Sequence, residues 1–358
     1  MTDTPRIRGR YGFLGPAGTF TETALRERLS TMAASDPAGV GAEELVPFGS
    51  VEVALDAVRA GDVRAAMVPI ENSVEGGVSA TLDALARADQ LSIIAEQLVP
   101  ITFVLAAPPG PPGGSGMPVT QVRAVGTHPH AWAQVRGWMA ENLPDAEHIR
   151  VSSTAAAAAA LGDGPASPAG DGGPAAAQTT PAGAPGAPED GGREAPAYQA
   201  CVCAPVAARD HGLEVLAEGI EDNQGAVTRF VLVARRGRLP QPTGADKTTL
   251  VLHQREDRPG GLLDLLEQFA TRGINLSRIE SRPTGEGLGS YCFSIDCEGH
   301  VADERLGEAL TGLHRVCRQV VFLGSYPRAD ARPIPVRAGT ADDDFVAARY
   351  WLRSLRGG

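Results

Sequence analysis

Thr228, Arg229 and Phe230 stand where a polar turn, Glu221-Asp-Asn-Gln-Gly225, meets an apolar, β-branched run over 227–234. That run reads as a buried strand, and the junction lies where α/β proteins present groups to a ligand. Side chains alternate along a strand, so Thr228 and Arg229 take opposite faces. A second polar set, Glu71-Asn72-Ser73, follows the buried run 65–70, and a third, Thr127-His128-Pro129, follows 122–125 and precedes a helix. Glu71 and His128 offer proton transfer. Thr228 offers a hydroxyl, and Arg229, if it faces inward, an anion anchor. Helix starts at Thr19-Phe20 and Ser153-Thr154 add backbone amides suited to an anion. Each set alone also reads as an ordinary turn or cap; together they line strand ends.

The elements that would carry them are legible. Ser50 caps a helix with Val51, Ala54, Leu55 and Val58 at helical spacing and Gly61 as its stop. Thr19 and Glu22 stand in capping-box spacing. Pro129 suits a first helical turn, and Ser152-Ser153-Thr154 precedes an alanine-rich helix ending at Gly162. Strands alternating with helices through Ala234 predict a parallel or mixed sheet covered by helices. The length suits two lobes with the polar sets converging on a cleft.

The chain has 358 residues, is 43% hydrophobic and carries a formal charge of −11. This suggests two or three domains. No basic stripe is present, which argues against a nucleic-acid partner. The five cysteines form no CxxC pair, which argues against a disulfide framework or a zinc site. The first ten residues are polar, and no apolar run reaches membrane-spanning length. A soluble, cytoplasmic protein without a membrane partner or metal is expected.

Residues 162–197 are Ala, Pro and Gly with scattered acids, a composition that cannot repay its ordering entropy. They are expected as a disordered insertion, with 238–246 as a linker. Residues 247–326 then read strand, helix, strand, strand, helix, strand, the ferredoxin-like βαββαβ order. The tail 327–358 contains an amphipathic helix over 342–355, with acids at its start and arginines at its end.

Several of these stretches resemble one family. Gly15-Pro-Ala-Gly-Thr-Phe20, Pro69-Ile-Glu-Asn-Ser73 with Gly76, Thr127-His-Pro129 and Thr228-Arg-Phe230 are similar to motifs of prephenate dehydratase. Gly260-Gly261-Leu262-Leu263 and Glu280-Ser281-Arg282-Pro283 resemble the phenylalanine-binding motifs of its regulatory ACT domain. No chorismate mutase segment is present, so the resemblance is to the monofunctional enzyme. Ala226 stands where the family commonly has asparagine. The resemblance implies a two-lobed, periplasmic-binding-protein-like (type 2) α/β catalytic domain over 10–237, followed by an ACT domain over 247–326. It implies loss of water and carbon dioxide from prephenate to give phenylpyruvate, without a cofactor. Thr228 would be essential, backed by Glu71, His128 or a water. Thr19, Phe20, Asn72, Ser73, Thr127, Ser153, Thr154, Arg229 and Phe230 would bind substrate.

Phenylalanine is the expected effector, held by residues 260–263, Asn275 and residues 280–283 in a homodimer or homotetramer. Two alternatives stay open: an arogenate dehydratase, and a two-lobed amino-acid sensor without catalysis.

Overall fold

The computed structural model describes residues 9–35, 43–74, 76–87, 90–111, 116–162, 196–284 and 291–357. The expected disordered insertion therefore lies almost wholly outside the described residues. In chain order, β1 (Arg10–Leu14), α1 (Phe20–Ser35), β2 (Glu44–Phe48), α2 (Val51–Ala60), β3 (Ala65–Asn72), β4 (Gly76–Gly77), α3 (Ser79–Leu85) and β5 (Leu91–Pro100) come first. Then come β6 (Val104–Ala107), β7 (Ala124–Thr127), α4 (Pro129–Gln134), α5 (Arg136–Asn142), β8 (Glu147–Arg150), α6 (Thr154–Gly162), β9 (Ala200–Cys203), α7 (Pro205–Asp210) and β10 (Glu214–Glu218). The last stretch holds β11 (Val227–Arg235), β12 (Asp246–Gln254), α8 (Gly261–Ala270), β13 (Leu276–Pro283), β14 (Tyr291–Glu298), α9 (Glu304–Val316), β15 (Cys317–Pro327) and α10 (Asp342–Leu355). Among the described residues no helix is long and apolar enough to cross a membrane.

Two compact units result, Met1–Ile101 with Gly225–Gly358, and Thr102–Gln224. The first holds a mixed sheet of order β2-β1-β3-β11-β5, with β4 on β3. β1 runs parallel to β2 and β3, while β11 runs antiparallel to β3 and β5. One face packs on α1 through Tyr11, Phe13, Leu25, Met67, Phe230 and Leu232. The other packs on α2 and α3 through Val51, Leu55, Val68, Leu82 and Val231. α2 forms as its spacing predicts: Ser50 Oγ accepts from Val53 N at 3.2 Å, and Gly61 ends the helix at φ 86°. The second unit holds a sheet of order β10-β6-β9-β7-β8.

Residues 246–327 form the expected βαββαβ arrangement, with sheet order β13-β14-β12-β15. Alternation along β12 gives it two apolar faces. Leu250 and Leu252 face α8 and α9 with Leu265, Phe269, Leu306 and Leu313. Val251 faces the other way, joining Val321, Leu323 and Tyr326 in one core with Leu91, Ile93, Val231 and Val233 of the first sheet. The βαββαβ unit is thus built onto β5 and β11. Gly324 makes the approach possible, because a Cβ there would meet Ile93 O at 2.2 Å. Ser92 Oγ donates to Leu323 O at 3.1 Å beside it.

α10 forms where its acids and arginines place it. Asp342 Oδ1 accepts from Glu304 N at the start of α9, and Arg349 pairs with Glu304 at 2.6 Å. Tyr350, Trp351 and Leu355 stay exposed, so the docking is polar.

Candidate active site

Thr228 is buried at the second position of β11. Asn72 is its partner across the β3–β11 ladder. Residues directly opposed in an antiparallel pair share a face, and Asn72 Nδ2 donates to Thr228 Oγ1 at 2.8 Å. Asn72 Oδ1 accepts from Val74 N at 2.7 Å, which fixes the amide with its nitrogen toward the hydroxyl. Ser73 clamps the mouth of the strand: its N donates to Val227 O and its Oγ accepts from Val227 N, both at 2.9 Å. With one lone pair of Oγ1 taken by an N–H, the hydrogen of Thr228 has no acceptor among the described residues. The hydroxyl is set up to donate.

The next rung corrects two expectations. Arg229 is opposite Glu71, so both lie on the face turned away from Thr228. Glu71 is therefore placed to back Arg229, at 3.3 Å, and not Thr228. Arg229, expected as an anion clamp for substrate, is only 5% exposed and fully committed to protein. Its Nε donates to Glu96 at 2.7 Å, Nη1 to Asp296 at 2.5 Å, and Nη2 to the Tyr326 hydroxyl at 2.8 Å. Glu96 also takes Lys247 Nζ at 2.9 Å and Ala329 N. Asp296 takes Arg278 Nε at 2.8 Å and the Thr249 hydroxyl at 2.7 Å. Three cations thus face three carboxylates, which is how buried charge is tolerated. Burial alone would raise Asp296, but Arg229 and Arg278 outweigh it and hold the carboxyl well below its usual range. Glu96 is likewise lowered, burial being outweighed by Arg229 and Lys247.

Other expected substrate contacts are also spent within the protein. At the start of α1, Glu22 Oε2 accepts from Gly18 N at 2.7 Å and the Thr19 hydroxyl donates to Leu14 O at 3.2 Å. The amide cradle is thus partly filled by the chain's own carboxylate. Phe230 is core, while Phe20 is half-buried beside it. In the second unit, Thr127 is fully buried and its hydroxyl donates to Val202 O at 2.8 Å. Ser153 Oγ caps α6 by accepting from Ala156 N, and Thr154 opens that helix.

His128 caps α4. Its Nδ1 accepts from His130 N at 3.2 Å, so the neutral ring carries its proton on Nε2. Burial, then the neighbouring His130, lowers its pKa, which keeps the ring neutral at pH 7. Among the described residues no group of three or more His, Cys, Asp or Glu is placed to hold a metal ion.

The expected effector residues surround the start of α8 and run along β13. Gly260 opens α8 at φ 81°, and Leu262 and Leu263 are exposed. Asn275 is exposed, and its carbonyl accepts from Glu298 N. Arg282 Nε and Nη2 grip both oxygens of Asp83 on α3, at 3.0 and 2.8 Å. The Glu280 carboxylate lies against Gly77, where a Cβ would meet it at 1.8 Å. Ser281 and Pro283 alternate outward. The segment expected to hold the effector therefore touches the β4–α3 segment that follows Asn72 and Ser73.

A family model described as prephenate dehydratase matches residues 11–238, and one described as the ACT domain matches 248–315. The chain belongs to the prephenate dehydratase family. A prephenate dehydratase of Amycolatopsis methanolica is 41% identical over 350 residues, which is 98% of each chain. The crystal structure of prephenate dehydratase from Arthrobacter aurescens, in complex with L-Phe, superposes with a TM-score of 0.80 at 48% identity, covering 98% of this chain and 100% of that one. GqqA, described as a novel type of quorum quenching acylase, superposes with a TM-score of 0.66 at 26% identity, covering 89% and 97%. One fold thus carries more than one described activity.

Within this prephenate dehydratase fold, the sequence reading missed Glu96, Lys247, Arg278, Asp296, Tyr326 and Asp83. A signal was present for three of them. Glu96, Arg278 and Asp296 are charges inside otherwise strand-like runs, and a buried charge needs a partner. The motifs said nothing about which distant strand supplies it.

Proposed function

We infer that the protein converts prephenate to phenylpyruvate, carbon dioxide and water, under feedback by phenylalanine through residues 248–315. The observation that carries this reading is the Thr228–Asn72 pair at the mouth of β11, in a chain that matches the prephenate dehydratase family across its length. The bond from the ring to its carboxylate breaks, and its electron pair moves through the ring. The bond to the ring hydroxyl breaks at the far end, and that oxygen leaves as water after gaining a proton. A dianion becomes a monoanion, so each turnover takes up one proton from solution.

Thr228 is assigned as the hydrogen-bond donor to the leaving oxygen. Asn72 keeps the lone pair occupied and the hydrogen outward. An alcohol is too weak an acid to be the net proton source, and so is a neutral imidazole; the proton is assigned to solvent, delivered by a water or by His128 when it is in its imidazolium form. The register supports removing Glu71 from it. Loss of carboxylate is fastest where no cation holds it, and the Arg229 guanidinium is turned to the opposite face from Thr228. The backbone amides of residues 153 and 154 and the side chains of Asn72 and Ser73 remain candidate substrate contacts. A dimer or dimer of dimers built through the regulatory sheet is the proposed assembly, since edge strand β13 exposes Ile279 and neighbouring β14 exposes Tyr291. A cytoplasmic location fits that role.

The test is ultraviolet detection of phenylpyruvate from prephenate without added metal or nucleotide, with arogenate run in parallel. Turnover of prephenate that falls when phenylalanine is added is expected. No product at any enzyme concentration removes the assignment, and faster turnover of arogenate moves it to the amino-acid analogue.

A further inference from the structure

Arg229 is covalently next to Thr228, yet two of its partners, Asp296 on β14 and Tyr326 on β15, belong to the regulatory sheet. The direction of each hydrogen bond is determined. The Tyr326 oxygen accepts from Arg229 Nη2 and the phenol donates to Thr249 Oγ1 at 2.6 Å; Thr249 in turn donates to Asp296. Asp296 then faces Arg229 and Arg278 together. The guanidinium is thus fixed from the regulatory side by a closed chain of donors and acceptors.

On the catalytic side, the β3–β11 register shifts between Arg229 and Phe230. Ladder continuity therefore does not by itself fix the pairing beyond that point. Beyond it the pairing is held by the two Ser73–Val227 hydrogen bonds and by two side-chain pairs, one on each face: Arg229 with Glu71, and Thr228 with Asn72. Arg229 also reaches Glu96 on β5, so it ties the third strand to the same place.

We propose that Arg229 is a positioning residue for the dehydration: gripped by Asp296 and Tyr326 of the regulatory sheet, it fixes the β3–β11 register at which Asn72 meets the Thr228 hydroxyl. The proposal rests on the assignment of Thr228 above. Any shift of β14 or β15 reaches the hydroxyl through one side chain and one peptide unit, which gives the regulatory sheet a direct effect on turnover.

The test uses the full-length chain and the variants Tyr326→Phe, Arg229→Lys and Thr228→Ala. Tyr326→Phe keeps the ring and removes one acceptor, so it is the gentle probe. It is expected to lower kcat by about three- to tenfold, with KM within about twofold, as for loss of an interaction made in the transition state. Arg229→Lys keeps the charge but loses the fork, and is expected to lower kcat further. In a Thr228→Ala background, Tyr326→Phe should change the residual rate by less than about twofold, because residues acting as a unit are not additive.

A role confined to stability predicts a lower melting temperature with kcat unchanged. That result for Tyr326→Phe overturns the proposal, as do losses that multiply in the double variant. If Arg229→Lys does not fold, Tyr326→Phe alone decides. If Thr228→Ala itself keeps the wild-type rate, the Thr228 assignment has failed and this proposal falls with it. If Thr228→Ala loses the rate and Tyr326→Phe does not, only the positioning role is wrong.

Discussion

Asn72 Nδ2 and Thr228 Oγ1 lie 2.8 Å apart across one rung of the β3–β11 ladder, and the next rung carries Glu71 and Arg229 on the opposite face. Proton-handling groups and ion-paired groups are thus separated by a single residue step. Thr228→Ala is expected to lower kcat about a hundredfold or more, the scale for loss of an oriented transition-state donor. Asn72→Ala should cost about tenfold, since it removes the group that aims the hydroxyl. Asn72→Asp should be at least as harmful, because a carboxylate would draw the threonine hydrogen toward itself. Steady-state kcat for the three variants checks this. An Asn72→Asp enzyme with near-normal turnover would remove the donor role from Thr228.

The carboxylates around Arg229 set the acid stability. Asp296 and Glu96 are held below their ordinary values. A group lowered in the folded state adds stability above its unfolded pKa, and that stability is lost as pH falls through the folded pKa. Unfolded Asp and Glu titrate near about 4. The melting temperature should therefore be nearly flat from about pH 6 to 8 and fall below about pH 4.5. An Asp296→Asn variant should start lower and fall less steeply. Calorimetry across the acid range tests the slope; equal slopes for both chains would show that Asp296 is not depressed.

Residues 163–195 can be replaced by a flexible loop of about eight residues with activity kept, because closure entropy changes by only about 0.6 kcal/mol per doubling of length. The flanking ends are α6 and β9, which pack together through Ala157, Ala158 and Cys201. Activity and melting temperature of the shortened chain are the measurements. A loss of more than about tenfold in activity would show that the segment has packing contacts its composition does not suggest.

The order of elements was readable because each has a local cause. An apolar, β-branched run marks β11, helical spacing marks α2, and acids at the start with arginines at the end mark α10. The site was less readable, for a physical reason. A charged residue in an apolar strand is either a ligand contact or one half of a buried ion pair, and local sequence does not separate the two. Arg229 has partners 133 and 67 residues away, in Glu96 and Asp296. Thr127 and Thr19 mislead in the same way, since their hydroxyls go to backbone carbonyls of Val202 and Leu14. Glu22 is the exception. Its spacing from Thr19 predicts a capping box, and the same box occupies the amides of the expected anion cradle.

The contact of Arg282 with Asp83 sets the most direct test of feedback. Removing the regulatory segment is a poor one. Val251, Val321, Leu323 and Tyr326 share a core with Leu91, Ile93, Val231 and Val233, so a chain ending near Arg238 would expose that face. It would also strip Arg229 and Glu96 of Asp296, Tyr326 and Lys247 and open them to solvent, so the strand that carries Thr228 would change along with the feedback. A point change avoids both effects. Asp83 sits at 55% side-chain exposure, so the ion pair contributes little to stability, about 1 kcal/mol or less. Asp83→Asn keeps the shape and weakens the grip on Arg282, which lies between Ser281 and Pro283 in the expected effector motif. The rate without phenylalanine should stay within about twofold, while maximal inhibition by phenylalanine should shrink, a loss of coupling within the usual range of about 1–3 kcal/mol. Activity against phenylalanine concentration, for the wild type and Asp83→Asn, measures it. An inhibition curve unchanged in midpoint and depth would mean that the effector's influence does not pass from β13 to α3, and that the only route left of the two is the one through Arg229.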